Sequence, residues 1–537
     1  MKYLLILVFG LISIAFAVPP SPEMLGQLKA NGNYEAVINA LRQARLAGVD
    51  QPNPMPLRTK PGDRLEVKAI AILVDFSDNV GVTPAAHFDT ILSSQAAYST
   101  GSMRDFYLEN SYSAVDLVTT VVGWLRMPQT YAYYVDGNYG WSSYPHNCQR
   151  LTEDAVWAAD PSVDFSQFDN DNDGYIDALF IIHAGPGAEE TGDPNDIWSH
   201  AWCTVNVPYV DGVYAYSYST EPENGRIGVF CHEAGHAVFG LPDLYDYGYD
   251  SYGVGYWSVM AYGSWGNNGR RPTHLDAWSK CDCGFAVPHI VTANTDSVMF
   301  PRVEYTPVIE KLWSYGAPTN EFVMVENRQK VGFDNYLPSS GMLVWHVDEN
   351  QSGNDNQWYP GHTDYGHYKV ALEQADGLWQ MEQNINAGNT GDPYPGSTGS
   401  RFYNDSTTPD SKDYNFNVTY VAVENVTNSD DTMWADLKVW PVGVSESRQF
   451  VSIPLALEFL PGNPVRNGSS IVFKLPGQGP SVLSVYDRSG AVVYRHENNA
   501  GGPVTWDLKV QRVRAGIYFA RLEQVSGVGT AKIVIIQ

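Results

Sequence analysis

The stretch CHEAGHAVFGLPDLYD, residues 231–246, restricts the fold more than any other part of the chain. His232 and His236 stand four apart, with Glu233 between them. On a helix that spacing is about 40° of rotation and ~6 Å of rise, so both imidazoles face one point. Gly240 can take the left-handed geometry that ends helices, and Pro242 prevents resumption. The pattern predicts a helix over 226–239 that stops and turns back, carrying Asp243 toward the histidines.

Two histidines at helical spacing suit zinc, which takes three protein ligands at a working centre and keeps one position open. A carboxylate beside them, here Glu233, can act as general base toward a water activated by the zinc and pass the proton to a leaving amine. The third ligand is not explicit. No glutamate follows Glu233 until Glu304, so Asp243 and Asp246 are the near candidates, and a centre with no third protein ligand stays open. GYWSVMAYGSW (255–265) follows, and its Ser-x-Met turn would set Met260 beneath the metal as an apolar floor.

The surroundings of this motif set the class of protein. A chain of 537 residues exceeds one hydrophobic core and implies about three domains. Residues 1–17, MKYLLILVFGLISIAFA, have a positive start, an apolar run and a small-x-small end, the pattern of a secretory signal peptide. No later run approaches the ~20 apolar residues of a spanning helix. A net charge of −27 argues against nucleic acid, whose phosphates need a basic surface, and suits a cation-binding extracellular protein. The five cysteines lie between 148 and 283; an odd number leaves at least one unpaired within the chain.

Residues 18–64 contain YEAVINALRQARL at helical spacing, then QPNPMPLRTKPGD, and are expected to form a short pro-region or N-terminal arm. A catalytic domain is expected over 65–300. There VKAIAILVDFSD (67–78) and ALFIIHAG (178–185) are predicted buried strands and GSMRDFYLENSY (101–112) a predicted helix. Residues 301–441 read as strands and turns of a β-rich domain, 442–456 as a linker, and 457–537 as a small β-sandwich. The expected fold is thus multidomain, an α+β catalytic domain followed by two β-rich modules.

DNDNDGYID (169–177) sets Asp169, Asp171 and Asp173 at alternate positions, then Gly174 and Asp177. With the Tyr175 carbonyl they could wrap Ca²⁺ as the first part of an EF-hand loop does. Phe180 stands where an EF-hand needs its glutamate, so a true EF-hand fails. His183, His200, His274 and His346 are read as packed or hydrogen-bonded. Acidic turns at 346–349 and 373–377 are further possible calcium sites.

Together these segments resemble the immune inhibitor A family of secreted bacterial metallopeptidases, in the metzincin-like group. The resemblance rests on ILVDFSD (72–78), GSMRDFY (101–107), FDNDNDGYIDALFIIHAG (168–185), DIWSHAW (196–202), LPDLYD (241–246), WSVMAYGSW (257–265), PTHLDAWSK (272–280) and 326–349. It runs from about Val67 to Asp436. It implies endopeptidase activity on proteins or peptides, with zinc held by His232, His236 and Asp243, Glu233 as base and Met260 as the Met-turn residue. Tyr262 could stabilise the oxyanion, as tyrosines do in some related enzymes. One departure stands out: the family usually places Gly three and Asp six residues after the second His, whereas Gly240 and Asp243 fall at four and seven. The extra residue lies within AVF and must be absorbed at the helix end.

LEFLPGNPVRNGSSIVFKLP, SVYDRSGAVV, RAGIYFARL and AKIVIIQ, within 457–537, resemble C-terminal sorting domains of the bacterial type IX secretion system. This implies export, then release or attachment at the surface, with the secretion machinery as a partner. The expected function is a secreted zinc endopeptidase that also holds calcium. The alternative is a surface adhesion or binding protein on an inactive protease-like scaffold, since fold does not fix function.

Overall fold

The computed structural model describes residues 17–46, 53–59, 62–441, 457–475, 481–488, 491–498, 502–511, 513–524 and 527–537. Residues 1–16 of the expected signal peptide (1–17) and the expected linker at 442–456 lie outside these. The chain divides into two compact units, 1–442 and 443–537.

The first unit is built on five strands: β1 (Leu65–Asp75), β2 (Val115–Arg126), β3 (Leu179–His183), β4 (His200–Cys203) and β5 (Ser217–Pro222). Their order is β2-β1-β3-β5-β4. The first four in that order run parallel and β4 closes the edge antiparallel to β5. β1 is continuously buried from Ala69 to Asp75, as expected of a strand with parallel neighbours on both sides. Ile70, Ile72, Leu73 and Val74 are fully buried there, each stabilising the fold by about 1.5–3 kcal/mol. The parallel core corrects the expected α+β class: this is an α/β domain. Parallel strands cannot be joined by hairpins, and the connections between them carry helices.

The arm contributes helices α1 (Pro22–Asn31) and α2 (Tyr34–Leu46). α3 (Met103–Asn110) starts at a capping box between Ser102 and Asp105. α4 (Cys148–Ala159) follows β2, and α5 (Ile227–Ala237) follows β5. Every residue of α5 is buried. The Tyr107 hydroxyl on α3 donates to the Cys231 carbonyl at 2.7 Å and fixes α5 from one side.

The same unit continues into two smaller sheets. One contains β6 (His289–Ile290), β8 (Glu310–Leu312), β9 (Glu321–Arg328), β10 (Gly341–Asp348) and β11 (Val370–Leu372), in the order β11-β10-β9-β8-β6. The other contains β7 (Thr295–Pro301), β12 (Ala422–Glu424) and β13 (Thr432–Lys438), in the order β12-β13-β7. Phe322, Met324, Leu343 and Trp345 belong to the same apolar core as β1 and α5. Arg328 on β9 is fully buried, bonds both Asp334 oxygens at 2.6 Å, and donates to the Trp257 carbonyl at 3.3 Å. It thereby ties this sheet to the turn that carries Met260.

The second unit has two sheets around one core. One holds β14 (Glu458–Leu460), β16 (Ser470–Lys474) and β19 (Val504–Asp507), ordered β14-β16-β19. The other holds β15 (Val465–Arg466), β17 (Ser481–Tyr486), β18 (Val492–Asn498), β20 (Gly516–Gln524) and β21 (Gly527–Ile536), ordered β15-β21-β20-β17-β18. Phe473 and Trp506 from the first share a buried cluster with Leu483, Val485 and Leu522 from the second. The five cysteines form no disulfide.

Candidate metal centre

α5 ends as its sequence directs, with one local change. Gly240 has φ +62° and its N–H returns to the His236 carbonyl at 2.9 Å. The Leu241 N–H reaches back to the Gly235 carbonyl at 3.0 Å. That second bond spans one residue more than the 6→1 bond of a Schellman cap. The helix end therefore takes up the extra residue by widening its closing turn, and the chain after Pro242 still returns to the histidines. A side chain at 240 would also meet Pro56, whose Cβ lies 2.8 Å from the position of the missing Cβ.

The return brings three atoms together. His232 Nε2 and His236 Nε2 are 3.1 Å apart, and Asp243 Oδ1 is 3.0 and 3.3 Å from them. All three residues are fully buried. His232 Nδ1 lies 2.8 Å from the Val259 carbonyl and His236 Nδ1 2.6 Å from the Leu241 carbonyl. A carbonyl only accepts, so each ring carries its proton on Nδ1, which leaves Nε2 as a lone pair. Burial also holds His232 below the ordinary imidazole value, against the opposing pull of Asp243. Two imidazole lone pairs and a carboxylate oxygen thus converge with no proton between them. Such a set repels itself unless a cation sits among it, and nitrogen and oxygen donors of this kind fit zinc. The neighbouring Asp243 Oδ2 accepts the Tyr247 hydroxyl, and the Tyr247 ring lies 3.4 Å beneath the Arg45 guanidinium of α2. Arg45 is held in turn by Asp355 through two 2.7 Å bonds.

Met260 lies under α5 at Gly235, between the two histidines. A Cβ on residue 235 would stand 2.5 Å from the Met260 sulfur. The Leu244 N–H donates to the Met260 carbonyl at 2.8 Å, joining this turn to the Asp243 loop. Asp246 faces elsewhere: its carboxylate accepts from Gly248 N–H at 2.6 Å and Ser251 Oγ at 2.8 Å. Burial, with Asp250 nearby, pushes its pKa up to about 9. The Tyr262 ring packs edge-on against Tyr252 and Tyr245, at 5.1 and 6.3 Å between centroids.

Sequence reasoning expected the arm but not its contacts with the centre. The Val18 N–H donates to Glu233 Oε1 at 3.0 Å, and the Tyr245 hydroxyl donates to the Ala17 carbonyl. Residues 17–20 are buried at the centre they cover. Tyr245 and Tyr247 could have been suspected only from their place beside Asp243.

At the second candidate, carboxylate oxygens of Asp169, Asp171 and Asp177 lie within 4.8 Å of one another. Asp173 is not part of that group: its carboxylate accepts the Tyr175 N–H at 2.9 Å. Gly174 at φ +91° makes the sharp turn. Burial pushes Asp177 up to about 7. The acidic turn at 346–349 is otherwise engaged: His346 lies between Glu321 and Glu373, and Asp348 bonds His367 at 2.8 Å. His274 bonds Glu109 at 2.8 Å, and the Nδ1 atoms of His183 and His200 face backbone carbonyls.

Comparison with known proteins places these features in a family. Residues 58–283 match the immune inhibitor A peptidase M6 catalytic domain, and residues 462–536 the secretion system C-terminal sorting domain. Immune inhibitor A of Bacillus thuringiensis subsp. alesti is 32% identical over 289 residues, which is 44% of this chain and 42% of that protein. The pre-pro-metalloprotease PrtV of Vibrio cholerae serotype O1 is 31% identical over 275 residues, 41% of this chain and 30% of that one. The chain therefore spans less than half the length of either relative. A solved structure of PorZ, a type-IX secretion component of Porphyromonas gingivalis, aligns at 12% identity over 43% of this chain and 37% of that one, with a TM-score of 0.13, too low to assign a fold. In its first unit the chain carries a catalytic domain of the immune inhibitor A, peptidase M6, family of metallopeptidases, and in its second a type IX secretion sorting domain.

Proposed function

We propose that this chain is a secreted or cell-surface zinc endopeptidase. The reading rests on the convergence of His232 Nε2, His236 Nε2 and Asp243 Oδ1 beside Glu233. Zinc held there would supply Lewis acidity to a peptide carbonyl and to water. Glu233 is then the general base: its carboxylate accepts a proton from the attacking water and delivers it to the departing amine nitrogen. Its contact with the Val18 amide supports the second half of that role, since a backbone nitrogen reaches hydrogen-bond distance of Oε1. Met260 supports the centre as an apolar floor, in the manner of metzincins. The widened cap at Gly240 and Leu241 accommodates the slipped spacing after His236.

Asp169, Asp171 and Asp177, in the loop that precedes β3, are proposed to hold structural calcium. The two-sheet second unit is read as a β-sandwich that directs the protein through the type IX machinery. Among the described residues no helix is long and apolar enough to cross a membrane.

Hydrolysis of labelled casein by the purified protein tests this reading. Cleavage should be abolished by 1,10-phenanthroline and by Glu233→Ala. Cleavage that survives both would overturn it.

A further inference from the structure

Two connections of the first unit meet around a cavity of about 120 Å³ that the metal centre does not use. The one from β10 to β11 supplies Trp358; the long one from β11 to β12 supplies Glu373, Trp379, Asp410, Lys412 and Tyr414. The long connection is folded tightly on itself here. Gly377 has φ +64°, and a Cβ on it would stand 2.9 Å from the Thr408 methyl. Tyr414 is fixed between two nearly parallel imidazoles, His346 at 4.3 Å and His367 at 3.6 Å between centroids. Both its faces are therefore covered, and it offers the cavity its edge and hydroxyl. Trp358 stands edge-on to it at 5.7 Å. Trp379 is held at φ +46°, a conformation that costs a bulky residue free energy and that recurs where side chains grip ligands. Both tryptophans are half-buried, with part of their surface open.

The charges of the wall are already matched. Glu373 Oε1 lies 3.2 Å from His346 Nδ1, and Asp410 Oδ2 accepts from Lys412 Nζ at 2.6 Å. Asp413, also in the wall, accepts the Asn415 and Asn417 N–H groups at 3.0 and 2.7 Å. A cation finds these carboxylates engaged, and an anion is repelled by them. Other hydrogen-bonding capacity is unspent. Among the described residues the indole N–H groups of Trp358 and Trp379, the Tyr414 hydroxyl and the second Glu373 oxygen have no protein partner. In the same unit the indoles of Trp345 and Trp440 donate to Glu326 Oε1 and the Thr292 carbonyl, at 3.0 and 3.1 Å. Aromatic walls with a few convergent polar groups are the usual make-up of a small-ligand site.

We propose that this cavity binds one neutral pyranose ring of a saccharide. The C–H face of the sugar packs on an indole, and its hydroxyls, each both donor and acceptor, meet the indole N–H groups, the Tyr414 hydroxyl and the Glu373 carboxylate. The site is tied to the segment between Asp243 and Met260, because the chain beyond Trp379 bonds to it. The Met381 and Ala387 carbonyls accept the Tyr252 and Tyr256 N–H groups at 3.0 and 2.8 Å. A free oligosaccharide and the glycan of a glycoprotein present the same ring. The inference does not depend on the peptidase reading.

Saturation-transfer NMR of the full chain with the methyl glycosides of glucose, galactose and mannose tests it. At least one should bind, with transfer strongest to the C–H protons of one ring face, and binding should survive 1,10-phenanthroline. Trp358→Ala and Trp379→Ala should each weaken it about tenfold or more. Trp379→Phe keeps a ring face and loses the N–H; it should weaken binding less and keep the wild-type thermal midpoint, which separates loss of the site from loss of the fold. Trp157→Phe, at an exposed tryptophan elsewhere, should change nothing. Coupling the bound sugar to serum albumin distinguishes the sources. Capture of the conjugate but not of bare albumin supports a site for glycoproteins, and binding of the free glycoside alone supports a site for free saccharides. No binding of any glycoside, binding unchanged in both alanine variants, or transfer to tetramethylammonium in place of the glycosides would overturn the proposal.

Discussion

Met260 occupies the space that a side chain at Gly235 would fill, its sulfur 2.5 Å from where that Cβ would stand. The glycine within HEAGH is thus a packing requirement of Met260. Gly235→Ala must push Met260 aside within a buried site, at a cost of about 1–3 kcal/mol. Urea denaturation should show the loss. Gly235→Ala combined with Met260→Ala should lose less than the sum of the two single changes, because the two sites share the space.

Tyr247 orients Asp243 through its hydroxyl, and Arg45 from α2 stacks on its ring. Tyr247→Phe keeps the stack and deletes the hydrogen bond. Partners of this kind typically contribute 10–100-fold to metal affinity. Competition with a chromogenic zinc chelator should show weaker binding in that range, with the thermal midpoint of the metal-free protein little changed.

His346 gives a pH-dependent contribution of predictable sign. Burial opposes its charge, but hydrogen bonds to Glu321 and Glu373 outweigh burial and raise it to about 9. The folded imidazole holds its proton more tightly than the unfolded one, whose pKa is about 6.5. Its stabilisation is therefore complete below about pH 6 and is lost as pH rises through about 9. The shift corresponds to about 3 kcal/mol. Denaturation midpoints of wild type and His346→Gln should differ most near pH 6 and converge by pH 10.

Calcium at Asp169, Asp171 and Asp177 would stabilise the folded state by mass action, about 2.7 kcal/mol at a hundred times Kd. EGTA should lower the thermal midpoint of the wild type. Asp171→Asn should abolish that EGTA-dependent difference. Asp173→Asn, outside the cluster, should retain most of it.

How much of this was legible in the sequence follows from the range of the interactions. α5, its stop and the return of Asp243 are local events, written in His232, His236, Gly240 and Pro242, and could be read directly. The buried runs of β1 and β3 were equally plain. Their parallel pairing was not, because strand direction depends on partners as far apart as Ile70 and Leu179. The widened cap at Leu241 is a detail of hydrogen bonding that spacing alone cannot choose. The contacts Val18–Glu233 and Trp265–Pro19 join residues 215 and 246 apart. No periodicity carries such information, so the contacts of the arm, Tyr245 and Tyr247 emerged only in three dimensions.

Zinc titration of chelator-stripped protein, followed by hydrolysis of labelled casein, tests the central claim most directly. Activity should be absent at the start, rise in proportion to added zinc, and level off at one equivalent per chain, with Asp243→Ala failing to recover under the same conditions. Full activity in the stripped protein, or none at any zinc concentration, would contradict the account.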